Sequence, residues 1–443
     1  MTQNGGFHVG TVVVKFLLKL NTMKATIYST FLFLIVVASS CNRDIGEVTL
    51  TYNKATAVYG NLEEVRSTPL ISPSREIIDP GKIFMGENAL LIGEEGQGIH
   101  VFDNNDPNNP TPVIFIDLPF TNEFYVYKNY IYAVSHYDMV KININNLAAP
   151  ELVDREMNAF SEPITNGQGE ALIGFTYAVV TETLKINGPE ARSLQDESTL
   201  YFDYMDNMIP RSNIPSSFAG NGTTTGQGTT NRIALTEDHV YVVADNTLLT
   251  FGNTSVDLNL IEKQHIQWGM ETVYQSGDQL FIGTQTSMVI VDISNGENPT
   301  VLSTYWHPNS CDPVLPHGSL AYVTLRSTVQ AGCAGDENSL TVVDISDLQD
   351  PRNITTVQME SPFGMCLQED HLLIGEGTNG ISIFDVNVPS MPFISMHFPH
   401  EIYDVLPHPT VTDRILAAGP NGLSQYQMDY TEETMTLLSS IAF

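Results

Sequence analysis

The sequence predicts an all-β chain forming a single β-propeller of four-stranded blades, eight by count with seven as the alternative, and one long insertion. Three observations lead there. A strand–Asp–turn–Pro unit, MVIVDISNGENP at Met288–Pro299, returns as LTVVDISDLQDP (Leu340–Pro351), ISIFDVNVPSMP (Ile381–Pro392) and IHVFDNNDPNNP (Ile99–Pro110), always with Pro seven residues after the Asp. VKININNLAAP (Val140–Pro150) keeps the offset with Asn143 in place of Asp. Around such a unit lie four strand-like segments, as in GMETVYQS, QLFIGTQ, SMVIVDI and TVLSTYW. Four short strands recurring about every 40–45 residues is the signature of a propeller blade.

Each part of the unit has a local reason. Val289, Ile290 and Val291 are β-branched and favour a strand. Asp292 can accept hydrogen bonds from its own turn, and Pro299 pre-sets φ for the chain entering the next strand. The Asp position falls at Asp103, Asn143, Gly252, Asp292, Asp344, Asp385 and Gln427. The gap of 109 residues from Asn143 to Gly252 has room for a further unit, read at Ala171–Ile186. Behind it comes a flexible insertion, residues 187–231, ending in AGNGTTTGQGTTN. The propeller is placed at residues 68–443, with Met435–Phe443 as the last outer strand and Thr68–Ile71 available to lock the ring.

Ahead of the repeats, residues 23–40 read as a secretory signal: Lys24, an apolar run Ile27–Val37, then the small residues Ala38, Ser39 and Ser40. The run is too short for a membrane span, which needs about 20 apolar residues. Cys41 follows directly, as in a bacterial lipobox, which implies lipidation there. Residues 41–67 are read as lipid anchor and tether, and residues 1–22 as an over-called extension of the gene. The net charge of −32 repels phosphate backbones and excludes a nucleic-acid partner.

The residues resemble the LVIVD-repeat proteins of bacteria, many of them Bacteroidetes lipoproteins. MVIVD at Met288–Asp292 is nearly the name-giving string. The stretches Gly81–Pro110, Cys311–Ser346 and Pro362–Val386 are especially similar. The resemblance implies a propeller with no general enzymatic activity, and an outer-membrane lipoprotein facing the periplasm or the cell surface.

The candidate site residues lie in loops. Cys311 and Cys333 occupy two connections that open on one face and are expected to form a disulfide; Cys366, in GMCLQ, reads as a buried thiol. Glycine-rich loops between second and third strands carry Glu94, Glu95, Asp336, Glu337 and Glu376. Such carboxylates can ring a channel and bind a polyhydroxy ligand or calcium, while tight turns that need glycine explain the same loops. Trp268 and Trp306 end outer strands on that face, where they can stack on sugar rings or cover a blade edge. No catalytic set, phosphate loop or nucleophile elbow is present. The expected function is a non-enzymatic scaffold binding a protein or a glycan. The alternative is a metal-assisted hydrolase or lyase acting on a carbohydrate or lactone.

Overall fold

The computed structural model describes residues 47–67, 70–185, 231–244, 246–308, 313–327 and 337–443. Among them, seven antiparallel sheets span residues 80–117, 124–156, 233–265, 270–306, 314–358, 365–398 and 404–442. We number these blades 1 to 7 and their strands A to D, from the central channel outward.

Alternation along the strands explains why the blades form a ring. In strand C of blade 4, Ser287–Asp292, Val289 and Val291 pack with Tyr241, Val243 and Leu248 of blade 3. Met288 and Ile290 point the other way, onto Val314, Ala321 and Val323 of blade 5. A strand covered on both sides is apolar at every position, and Met288–Val291 are at most 1% exposed. Each such side chain contributes about 1.5–3 kcal/mol by leaving water. The same two-sided packing joins blade 7 to blade 1, where Leu406, Leu416 and Leu423 meet Ile83, Leu90 and Ile92.

The repeated Asp is a turn-former in this structure. Asp103, Asn143, Asp292, Asp344 and Asp385 each accept a 2.9 Å hydrogen bond on Oδ1 from the N–H two residues on. The intervening residue donates its N–H to the A–B turn of its own blade, as Ile293 does to Asp278 O at 2.8 Å. That second bond recurs in all seven blades. So does a register shift between strands C and D, as at Ile290/Val291. A bulge at this point increases the twist of the outer strand.

The blade count is therefore seven, not eight. The segment read as a further blade is one long strand, Ala171–Lys185, and its partner is Glu47–Gly60. The two pair antiparallel, from Glu47↔Lys185 to Gly60↔Ala171, as a two-stranded ribbon outside the ring. A strand of 15 residues is too long for these blades, whose strands run from 3 to 9 residues.

The expected tether also differs over residues 47–67, which form that ribbon strand and a short helix, Leu62–Arg66. Arg66 fixes the helix to blade 2 through Asp138, with Nε–Oδ2 at 2.9 Å and Nη2–Oδ1 at 2.8 Å. Leu62 packs with Tyr137, Ala171 and Leu172.

Of the segment Thr68–Ile71, expected to lock the ring, Thr68 and Pro69 lie outside the described residues, and its described end does not bridge the seam. Ile71–Pro73 pairs with the outer strand of blade 1, while the outer strand of blade 7 is Thr434–Ala442, the expected last strand. The ring closes side by side, without strand exchange among the described residues. Across the seam, Asn104 Nδ2 donates to Gln425 Oε1 at 3.0 Å and Gln425 Nε2 donates to Asn104 Oδ1 at 2.8 Å. Ser439 Oγ adds a 2.6 Å bond to Pro107 O. The segments 1–22 and 23–40, Cys41, Cys311, Cys333, Asp336 and residues 187–230 lie outside the described residues.

Candidate functional site

Because the four strands of a blade alternate in direction, the B–C and D–A connections emerge on one face of the ring. The described ones among the predicted carboxylates, Glu94, Glu95, Glu337 and Glu376, sit there, and the structure does not bring them together as a group. Glu94 is 1% exposed and is used inside blade 1. It accepts from Asp79 N at 2.9 Å, from Ile78 N at 3.2 Å, and lies 2.8 Å from His100 Nε2. Burial pushes its pKa up, but His100 and these N–H groups outweigh that and hold it below the usual carboxylate range. Glu376, the matching residue of blade 6, is 3% exposed; it accepts from Glu360 N at 3.0 Å and from Ser382 Oγ. Ser382 also lies 3.2 Å from His397 Nδ1. The carboxylate meets the serine rather than the histidine, which is not the order of a nucleophilic triad.

Glu95 and Glu337 are half-buried: Glu95 N–H donates to Asp79 O at 2.8 Å, and Glu337 Oε1 accepts from Ser339 Oγ at 3.1 Å. Among the described residues no group of three or more His, Cys, Asp or Glu side chains converges as a metal site. Cys366 is buried, and burial raises its thiol pKa far above the ordinary value.

Trp268 and Trp306 lie at one end of blade 4. Trp306 ends strand D of blade 4, and its cross-strand partner is Ser287. Trp268 lies in the connection entering the same blade; its neighbour Gln267 donates from Nε2 to Ser287 Oγ at 2.6 Å. Ser287 therefore meets Trp306 through its backbone and the residue before Trp268 through its hydroxyl. Gly269 takes φ +70° to turn the chain into strand A, and its carbonyl accepts from Gln285 N at 3.1 Å. Trp268 and Trp306 are 68% and 67% exposed, with the His265 ring edge-on to Trp268 at 6.0 Å.

A second constellation, missed in the sequence, lies at the channel mouth. The strand registers align Ile83, Phe124, Ile233, Val273, Val314, Met365 and Val405 of the seven inner strands. The preceding residues are Lys82, Glu123, Arg232, Thr272, Pro313, Gly364 and Asp404. Around blades 7, 1, 2 and 3 the charges thus alternate: Asp404, Lys82, Glu123, Arg232. All four are at most 5% exposed, and Lys82 Nζ meets Glu123 Oε1 at 3.0 Å. Burial pulls the Lys82 ammonium below its ordinary pKa, opposed by Glu123 and Asp404. Gly364 has no room for a side chain, since a Cβ there would sit 1.7 Å from Asp404 Oδ1. The sequence signal was available: a charge directly before the first apolar residue in GKIF, NEFY, NRIA and YDVL.

Closed ring and charged mouth together define the class of protein, a seven-bladed β-propeller. Solved structures share the architecture. A putative 6-phosphogluconolactonase from Bacteroides uniformis is 13% identical with a TM-score of 0.53, over 81% of this chain and 95% of that one. The periplasmic gluconolactonase of Pseudomonas aeruginosa is 10% identical with a TM-score of 0.53, over 80% and 96%. At such identities the likeness is one of fold alone. Within that class, the chain carries LVIVD repeats: the LVIVD repeat family matches residues 271–306, which cover blade 4 from its second residue, and 333–358, which include strands C and D of blade 5. No curated protein matches the sequence.

Proposed function

We propose that this chain is a non-enzymatic binding scaffold of the bacterial envelope, lipid-anchored through Cys41, that recognises a glycan on the B–C/D–A face. The observation that carries the reading is the placement of Trp268 and Trp306 at one end of blade 4, both two-thirds exposed, one as the cross-strand partner of Ser287 and the other next to Gln267, which bonds Ser287. Indoles bury large area with few rotatable bonds, and flat apolar rings edged by polar groups suit sugar faces. Gln267 and His265 lie beside them. The carboxylates Glu94 and Glu376 serve their own blades, which fits a rigid frame. The test is calorimetric titration of the purified chain with envelope polysaccharide fragments. Saturable binding lost in Trp268→Ala and Trp306→Ala supports the reading; binding unaffected by both substitutions contradicts it.

A second reading is a sugar-lactone hydrolase, favoured by the architecture shared with the putative 6-phosphogluconolactonase and the periplasmic gluconolactonase. Hydrolysis of D-glucono-1,5-lactone above the spontaneous rate, abolished by Glu271→Gln or Asp404→Asn at the mouth, would establish it in place of the first. Turnover at the spontaneous rate removes it.

A further inference from the structure

Blades 4 to 6 complete the channel mouth differently from blades 7, 1, 2 and 3. At the aligned position they carry Thr272, Pro313 and Gly364, none of them charged. Into this sector comes Arg326, the residue after strand B of blade 5, Leu320–Leu325. It is 5% exposed, and its guanidinium carbon lies 4.2 Å from the centroid of the Phe363 ring. Phe363 directly precedes Gly364 and is held edge-on by Tyr403 at 5.1 Å and 88°. Glu271, which directly precedes Thr272, is the carboxylate that acts on Arg326 through space. Yet Arg326 makes no hydrogen bond or ion pair with any described residue. The hydroxyls of Thr272 and Thr324 are also buried with no hydrogen-bond partner among the described residues.

A buried guanidinium stacked on an aromatic face keeps its five N–H donors directed outward in its own plane, and leaving them unused is costly. Burial pulls the Arg326 pKa down to about 10, against the pull of Glu271, so the group remains a cation at neutral pH. We propose that the channel mouth between blades 4, 5 and 6 is a binding site for a small monocarboxylate, taken by the guanidinium fork of Arg326. The fork matches a carboxylate in a two-point contact. Glu271, which acts on the same guanidinium, favours one negative charge over two. A dianion such as phosphate at pH 8 would meet Glu271 with an excess charge. This site is separate from the tryptophan pair, and either can fail without the other.

The test is titration of the full chain with sodium acetate and sodium D-gluconate at pH 8 and constant ionic strength, with chloride and inorganic phosphate as controls. Wild-type chain should bind the carboxylates saturably and chloride and phosphate more weakly. Arg326→Gln should lose about 10- to 100-fold in carboxylate affinity, the loss of a charge-assisted two-point contact. Arg326→Lys, which keeps the charge and loses the fork, should lose about 10-fold. Phe363→Leu, which leaves the arginine in place, should lose several-fold, keeping the test open should Arg326→Gln fail to fold. Trp268→Ala should bind carboxylate as wild type does. Absence of saturable carboxylate binding, unchanged affinity in Arg326→Lys, or phosphate bound as tightly as acetate overturns the proposal.

Discussion

Replacing Gln425 by Leu tests the seam at which blade 7 meets blade 1. Gln425 and Asn104 are each 2% exposed and exchange two side-chain hydrogen bonds. Leucine keeps nearly the same volume but leaves the Asn104 carbonyl and amide buried without those partners. Each orphaned group costs about 1–3 kcal/mol, so the change should destabilise by about 4 kcal/mol. Pro107 O keeps its bond from Ser439 and adds nothing to the loss. A body of roughly 360 residues has an unfolding entropy near 0.76 kcal/mol/K, taking about 2.1 cal/mol/K per residue. The melting temperature should therefore fall by about 5 °C in differential scanning calorimetry. The companion is Asn104→Leu/Gln425→Leu, which removes both partners and leaves no orphan. It should melt within about 1–2 °C of wild type. A fall of less than about 1 °C in Gln425→Leu would refute the reasoning, as would a double variant that loses the sum of the two singles.

Two further outcomes follow from buried charges. Burial pushes the Asp138 carboxyl up, but Arg66, the Asn158 N–H and Arg155 outweigh it and hold the pKa below the ordinary value. A depressed folded-state pKa contributes stability above the unfolded value of about 3.9 and loses it as pH falls through the folded value. Asp138→Asn should therefore melt below wild type at pH 7, by the equivalent of about 3–5 kcal/mol for a broken buried pair, with the gap closing below about pH 4. A gap independent of pH in thermal melts would count against the ion pair. Gly364→Ala drives a methyl into Asp404 Oδ1 and should destabilise by about 1–3 kcal/mol; equal melting of Gly364→Ala and wild type would show that the carboxylate does not sit there.

The repeat was legible because its chemistry is local. The Asp–turn–Pro unit shows the strand C to strand D turn directly, and five of those side chains make the expected bond. The eighth blade arose because a strand-like segment does not reveal its partner. Ala171–Lys185 is a strand, but it pairs with Glu47–Gly60, more than 110 residues earlier in the chain. Those residues also alternate, with Val48, Leu50 and Tyr52 between Glu47, Thr49, Thr51 and Asn53, a pattern hidden by their place after a signal-like segment. Glu94 and Glu376 stood in loops by sequence, and only burial shows that they bond their own blades. The mouth charges are single residues dispersed through the chain, and the ring alone makes Lys82, Glu123, Arg232 and Asp404 neighbours. Trp306 was legible as an exposed strand end, whereas Trp268, read the same way, lies in the D–A connection three residues beyond His265, the last residue of its strand.

Tryptophan fluorescence tests the proposed function most directly. Trp268 and Trp306 are the chain's only two tryptophans, so all indole emission reports on this one end of blade 4. In the free chain the emission should be that of indoles in water, open to acrylamide quenching. Titration with the recognised glycan should shift it to the blue along a saturable curve and protect both rings from the quencher. Emission and quenching that stay constant while calorimetry shows the glycan bound would place recognition elsewhere on the ring and contradict the assignment.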